Sequence, residues 1–166
     1  MQGQGRPLVA GVVPDTAAVV LGRVAELAQD LRGELIVVHV DTSRYVVQRN
    51  PDGSQLSLPV DPDLEDAPDP RREAALRGQT EDCLAGYRLP WSFRMLAGEP
   101  AHELAMLAAR LDARMIAVGT RKRGVRRRVE EFFTGSVAVQ LTHSQPLPVF
   151  VVPTDPGAAG RPLPWE

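Results

Sequence analysis

The sequence predicts a doubly wound α/β domain, with a five-stranded parallel sheet and helices on both faces. Three observations predict it. Short continuous apolar runs recur along the chain, of the kind carried by strands buried on both faces. Between them lie stretches whose apolar residues repeat at helical spacing. The links are tight, so each strand–helix–strand unit implies parallel strands and a right-handed crossover. A chain of 166 residues is long enough for one such domain with a real core.

Leu8-Val9-Ala10-Gly11-Val12-Val13 is the first predicted strand. Pro14-Asp15-Thr16 breaks it and offers caps for a helix. Val20, Val24, Leu27 and Leu31 share one face of that helix, and Gly33 is its expected C-terminal stop. Glu34 to Val40, with His39 near its end, is the second strand. Asn50-Pro51-Asp52-Gly53 is strong turn chemistry between the strand-like flanks Tyr45-Val46-Val47 and Leu56-Ser57-Leu58. A β-hairpin over 44–60 is therefore expected as an insertion after the second strand. The acidic, proline-rich stretch from Pro59 to Pro70 reads as a solvated loop.

Asp69-Pro70 then starts a helix, with the aspartate as cap and the proline at the first helical position. Leu76, Cys83, Leu84 and Tyr87 fall on one face of it, which places Cys83 in the core rather than among reactive thiols. Trp91, Phe93 and Met95 alternate with Ser92 and Arg94, the pattern of an edge strand. Gly98-Glu99-Pro100 opens a third helix with Leu104, Leu107, Ala108 and Leu111 inward. Arg114 to Gly119 is the fourth strand, a helix is expected near 136–143, and Leu147 to Val152 is the fifth strand. The domain is expected to span 1–153, with 42–69 inserted. Residues 154–166, rich in proline and glycine, read as a flexible tail.

The formal net charge is −2, which argues against a nucleic-acid binder that uses its whole surface. That sum hides two opposed blocks. Residues 61–69 carry Asp61, Asp63, Glu65, Asp66 and Asp69 with no base; residues 121–128 carry Arg121, Lys122, Arg123, Arg126, Arg127 and Arg128 with no acid. The basic run lacks the interleaved aromatics of a single-strand binder, so a nucleic-acid partner is not expected. Cys83 is the one cysteine, which excludes an internal disulfide framework and a multi-cysteine zinc site. His39, His102 and His143 have no metal-ligand spacing, so no metal is expected. No apolar run approaches a membrane span, and Pro14-Asp15 interrupts the first apolar stretch, which makes a poor signal peptide. A cytoplasmic protein without a membrane partner is expected. Ser136 has no general base in its sequence context and the Gly-x-Ser-x-Gly elbow is absent, so catalysis is not expected; a weak ATPase is the remaining enzymatic reading.

Several segments, taken in order and spacing, resemble the universal stress protein family over residues 7–153. They are LVAGVV at 8–13, LIVVHV at 35–40, GEPAHEL at 98–104, ARMIAVGT at 113–120, GSV at 135–137 and PLPVFVVP at 146–153. The resemblance implies a sheet order of 3-2-1-4-5, a homodimer and a role in stress response. For many members it implies an adenine-nucleotide site, for ATP or AMP, between the first and fourth strands. That subset carries an acid two residues after the first-strand glycine. After the fourth strand it carries Gly, two residues, Gly, nine residues, then Gly-Ser or Gly-Thr. The chemistry is clear: glycines let backbone N–H groups approach phosphates, and a helix N-terminus favours an anion.

This sequence departs from that signature. Gly119 and Gly135-Ser136 match its ends, but fifteen residues separate the two glycines against twelve in the motif, and Lys122 stands where the middle glycine belongs. The acid position after Gly11 is Val13, with Asp15 two residues further on. The residues that would hold a nucleotide are Val13 and Val40 against base and sugar, Asp15 as the substitute acid, and Gly119, Gly135 and Ser136 at the phosphates, with Thr120 and Val137 beside them. Arg121 and Arg123 would add charge. The competing readings are a site lost with its second glycine and a basic loop that is simply solvated. In the lost-site reading the chain is a dimeric interaction module whose hairpin and acidic loop meet a protein partner.

The fifth strand is apolar on both faces, yet the implied order puts it at a sheet edge. Such an edge needs a cover. A second copy paired through Val149, Phe150 and Val151 supplies one and makes a homodimer; the tail folding back is the alternative.

Overall fold

A computed structural model of the protein describes residues 5–120 and 137–154. The elements run β1 (Gly5–Gly11), α1 (Ala17–Asp30), β2 (Gly33–Asp41), β3 (Arg44–Arg49), β4 (Gln55–Pro59), α2 (Pro70–Leu84), β5 (Trp91–Ala97), α3 (Pro100–Arg110), β6 (Met115–Gly119), α4 (Val137–Ser144) and β7 (Val149–Val152). Five of the strands form one parallel sheet in the order β5-β2-β1-β6-β7. With the hairpin strands set aside this is the expected 3-2-1-4-5. The expected hairpin is the antiparallel pair β3–β4.

Strand side chains alternate between two cores. Leu8, Ala10, Leu35, Val37 and Phe93 pack under α1 and α2, with Val20, Leu21, Val24, Leu76 and Leu84 coming down from those helices. Val9, Ile36, Val38, Ile116 and Val118 pack under α3 and α4, with Leu104, Leu107 and Leu141. Each leucine, isoleucine, valine or phenylalanine among them contributes about 1.5–3 kcal/mol on burial, which is why the pattern fixes the register.

The structure corrects the sequence reading at several ends. β1 begins at Gly5 and stops at Gly11, so Val12 and Val13 belong to the turn beyond it. The strand is drawn back towards its start because Pro7 O accepts from the Arg114 N–H at 2.7 Å and Arg6 donates to the carbonyls of Asp112 and Ala113. Thr16 occupies the N-cap of α1 but its side chain makes no capping bond. At the other end of α1 the left-handed residue is Arg32, with φ 52°, rather than Gly33. Gly33 is required for another reason: a Cβ there would stand 2.8 Å from Arg6 O, across the Gly5–Gly33 pair. Asp69 does cap α2, its carboxylate accepting from the Arg71 N–H, and β5 does lie at a sheet edge.

The hairpin is fastened to the domain along its inner side. Gly53, at φ +90°, turns the chain in a conformation open to glycine. Arg49 pairs with Glu103 of α3 through both terminal guanidinium nitrogens. Gln55 donates to the same carboxylate at 2.6 Å and accepts from the Ala97 N–H at 2.9 Å. A free two-stranded hairpin is marginal in water, so these bonds and the packing on β5 are what hold it.

Candidate functional site

The strand order reverses at β1, which pairs with β2 on one side and β6 on the other. Ligands of open parallel sheets bind beyond the carboxyl ends of the strands at such a reversal. Three segments meet there: the turn after Gly11, the end of β2 at Val40 and Asp41, and the end of β6 at Gly119 and Thr120.

The turn is pinned at Val12. Its N–H donates to Val38 O at 2.9 Å and its carbonyl faces His39 Nδ1 at 3.0 Å. A carbonyl only accepts, so the Nδ1 of His39 carries the proton and Nε2 is left as an acceptor. That Nε2 is buried with no hydrogen-bond partner among the described residues. Burial holds the His39 pKa below its usual value near 6.5; the Val12 bond opposes this, Arg72 adds to it and Asp41 opposes it. Past Val12 the chain turns outward. Val13 is 52% exposed, and Pro14 and Asp15 are exposed. Thr16 N–H closes the turn on Val13 O at 3.1 Å and starts α1. Val13 is therefore an accessible apolar wall and Asp15 a solvated carboxylate, whereas Val40 is buried among the α3-side core residues.

Helix α2 grips both strand ends, through residues the sequence reading did not single out. The buried Asp41 carboxylate accepts from the Ser43 N–H at 3.0 Å and the Ser43 hydroxyl at 2.6 Å, and pairs with Arg72 at 3.1 Å. Gln79 donates to Pro14 O at 2.9 Å. An acid set directly after the apolar run 35–40 is the one sequence signal for Asp41; nothing local points to its partner.

At the end of β6 the glycine is explained by the protein itself. A Cβ on Gly119 would stand 2.8 Å from both Thr154 Cγ2 and Val20 Cγ2. Thr120 N–H donates to Val152 O at 2.9 Å. The Thr120 hydroxyl oxygen accepts from the Thr154 N–H at 2.9 Å, and the Thr154 hydroxyl donates to Thr120 O at 2.6 Å. Thr120 is thus tied to the chain leaving β7. Val137 begins α4 and packs on the α3-side core. The expected phosphate residues Arg121, Arg123, Gly135 and Ser136 lie outside the described residues, as do the rest of the 121–128 basic block and the tail from Asp155. Among the described residues no group of acids, histidines and cysteine could hold a metal ion, and no helix is long and apolar enough to cross a membrane.

Comparison with known proteins decides the family. The model of the universal stress protein family matches residues 6–153. The chain belongs to the universal stress protein family. Solved members of the family share its fold. A universal stress protein from Archaeoglobus fulgidus is 21% identical, with TM-score 0.60 over 88% of this chain and 92% of that one. A universal stress protein solved in complex with cAMP is 18% identical, with TM-score 0.61 over 92% of this chain and 100% of that one. The Archaeoglobus fulgidus protein in complex with dAMP is 20% identical, with TM-score 0.57 over 90% and 99%. No curated protein matches the sequence.

Proposed function

We propose that the chain binds an adenine nucleotide, ATP or AMP, beyond the carboxyl ends of β1 and β6, and that it acts in the cytoplasm by binding rather than catalysis. The observation that carries this reading is the reversal of strand order at β1, with an accessible turn at Val13–Asp15 beside the end of β6. Two family members of the same fold, solved with cAMP and with dAMP, support it. Val13 lines the base and sugar, Val40 backs them from the core rather than as an open wall, and Asp15 stands in for the missing acid. Gly119, Thr120, Gly135, Ser136 and Val137 form the phosphate end, with Arg121 and Arg123 as cations in place of backbone donors. The functional unit is a homodimer joined through β7.

One observation favours the second reading, a nucleotide-free interaction module. The Thr120 hydroxyl and the space beside Gly119 are already taken up by Thr154 and Val20. Calorimetry with ATP, ADP and AMP decides between the two. A saturable heat that Gly135→Trp abolishes is expected. No heat at millimolar nucleotide removes the ligand and leaves the module; ATP turnover that survives repurification makes the chain an enzyme.

A further inference from the structure

The inner side of the hairpin is fastened to α3 and β5; its outer side has no partner among the described residues. Tyr45 stands directly opposite Leu58, and Leu56 follows on the same face. The irregularity between Val46 and Gln48 adds Val47 as the extra residue of β3. Tyr45, Val47 and Leu56 are 47%, 47% and 54% exposed. A two-stranded sheet normally shows water its polar face. Here Arg44, Arg49, Gln55 and Ser57 make inward or lateral bonds, while Tyr45, Val47 and Leu56 are exposed, with Gln48 as the polar residue opposite Leu56. A contiguous exposed apolar face is the mark of an interaction surface.

Charge says what fits it. Between Asn50 and Pro70 the chain has no lysine or arginine, while Asp61, Asp63, Glu65 and Asp66 follow the hairpin. None of those four carboxylates is in an ion pair among the described residues. The buried Arg44 guanidinium meets the loop at its main chain, donating to the carbonyl of Asp66 and more weakly, at 3.4 Å, to that of Glu65. The loop is held against the hairpin by its backbone, and among the described residues its acids pair with no cation. Val60 and Leu64, in the loop that follows, are exposed as well. Two copies of this face would bring like charges together, so a second copy is disfavoured.

We infer that the outer face of the β3–β4 hairpin, with the acidic loop after it, is a docking surface for a segment of a protein partner that carries apolar side chains flanked by arginine or lysine. The apolar face supplies affinity, and the acids speed and orient the encounter.

The test is fluorescence anisotropy on the full chain with three labelled synthetic peptides. They alternate leucine with arginine, leucine with glutamate, and serine with arginine. The leucine–arginine peptide is expected to bind, and the other two to bind on the order of tenfold more weakly or not at all. The variant Tyr45→Ser/Leu56→Ser removes only exposed groups and should keep the thermal midpoint while losing about tenfold in affinity. The variant Asp61→Asn/Asp63→Asn/Glu65→Gln/Asp66→Asn should flatten the salt dependence of binding. Equal binding of the serine–arginine or leucine–glutamate peptide overturns the proposal. So does undiminished binding by Tyr45→Ser/Leu56→Ser, or self-association of the native chain that this variant abolishes.

Discussion

The carboxylate of Glu103, only 3% exposed at its side chain, is held at both oxygens by the guanidinium of Arg49 from fifty-four residues earlier in the chain. The bond with Glu103 raises the Arg49 pKa further, so the guanidinium keeps its charge. Arg49→Ala would leave a buried carboxylate with Gln55 alone. A loss of about 2–4 kcal/mol is expected, because an uncompensated buried charge is costly. Hydrogen exchange in β3 and β4 should rise well before exchange in β1 and β2. Uniform exchange in all four strands would mean the ion pair does not hold the hairpin.

Gly119→Ala should destabilise the fold by about 1–3 kcal/mol, since the added methyl meets two β-branched side chains with no free rotamer to yield. Thr154→Ser removes the clashing Cγ2 and keeps the hydroxyl that bonds Thr120. The double variant should therefore recover part of the loss in urea unfolding. Strictly additive effects would show that the two positions do not touch.

The buried His39 makes part of the acid sensitivity. Its pKa in the fold lies below 6.5, so between the two values the unfolded chain binds more protons than the folded one. Stability is then complete above about pH 6.5 and falls as pH drops through that window. His39→Asn keeps an N–H donor towards Val12 and cannot titrate. Thermal midpoints recorded from neutral to mildly acid pH should show a shallower decline for this variant. Parallel declines would assign the acid sensitivity to the carboxylates instead.

Val151 is exposed on the open edge strand β7. Val151→Lys places a charge where a second copy would pair, which edge strands use to prevent association. Sedimentation velocity should show a dimer for the native chain and a monomer for the variant. A chain ending after Thr154 should remain a dimer; if it becomes a monomer while Val151→Lys does not, the tail and not β7 makes the contact.

Periodicity read the layers of this fold well because each strand and helix signals its own buried face. The apolar runs at 8–13, 34–40 and 114–119 became the three central strands, with ends shifted by up to three residues, and the Asn50–Gly53 turn became the hairpin tip. Buried and half-buried polar pairs were not legible. Asp41, Glu103 and Thr120 find Arg72, Arg49 and Thr154 at sequence separations of 31, 54 and 34 residues. A hydrophobicity pattern cannot encode such a partner. It also could not tell Gly33, set by contact with Arg6, from a helix stop, or see that Val13 lies past the last residue of β1. Of the candidate site, the strand ends were found from topology, and the grip of α2 on them was not.

The hairpin also bears on how far assembly can go. One edge of the sheet, β5, has Gln55 seated on the Ala97 amide and the hairpin packed beside it. The other edge, β7, has no such guard among the described residues. A sheet with a single free edge can be extended once, by a copy related through a two-fold axis, and then presents no further template. Growth past a pair would have to begin at β5, the edge whose end the hairpin already occupies.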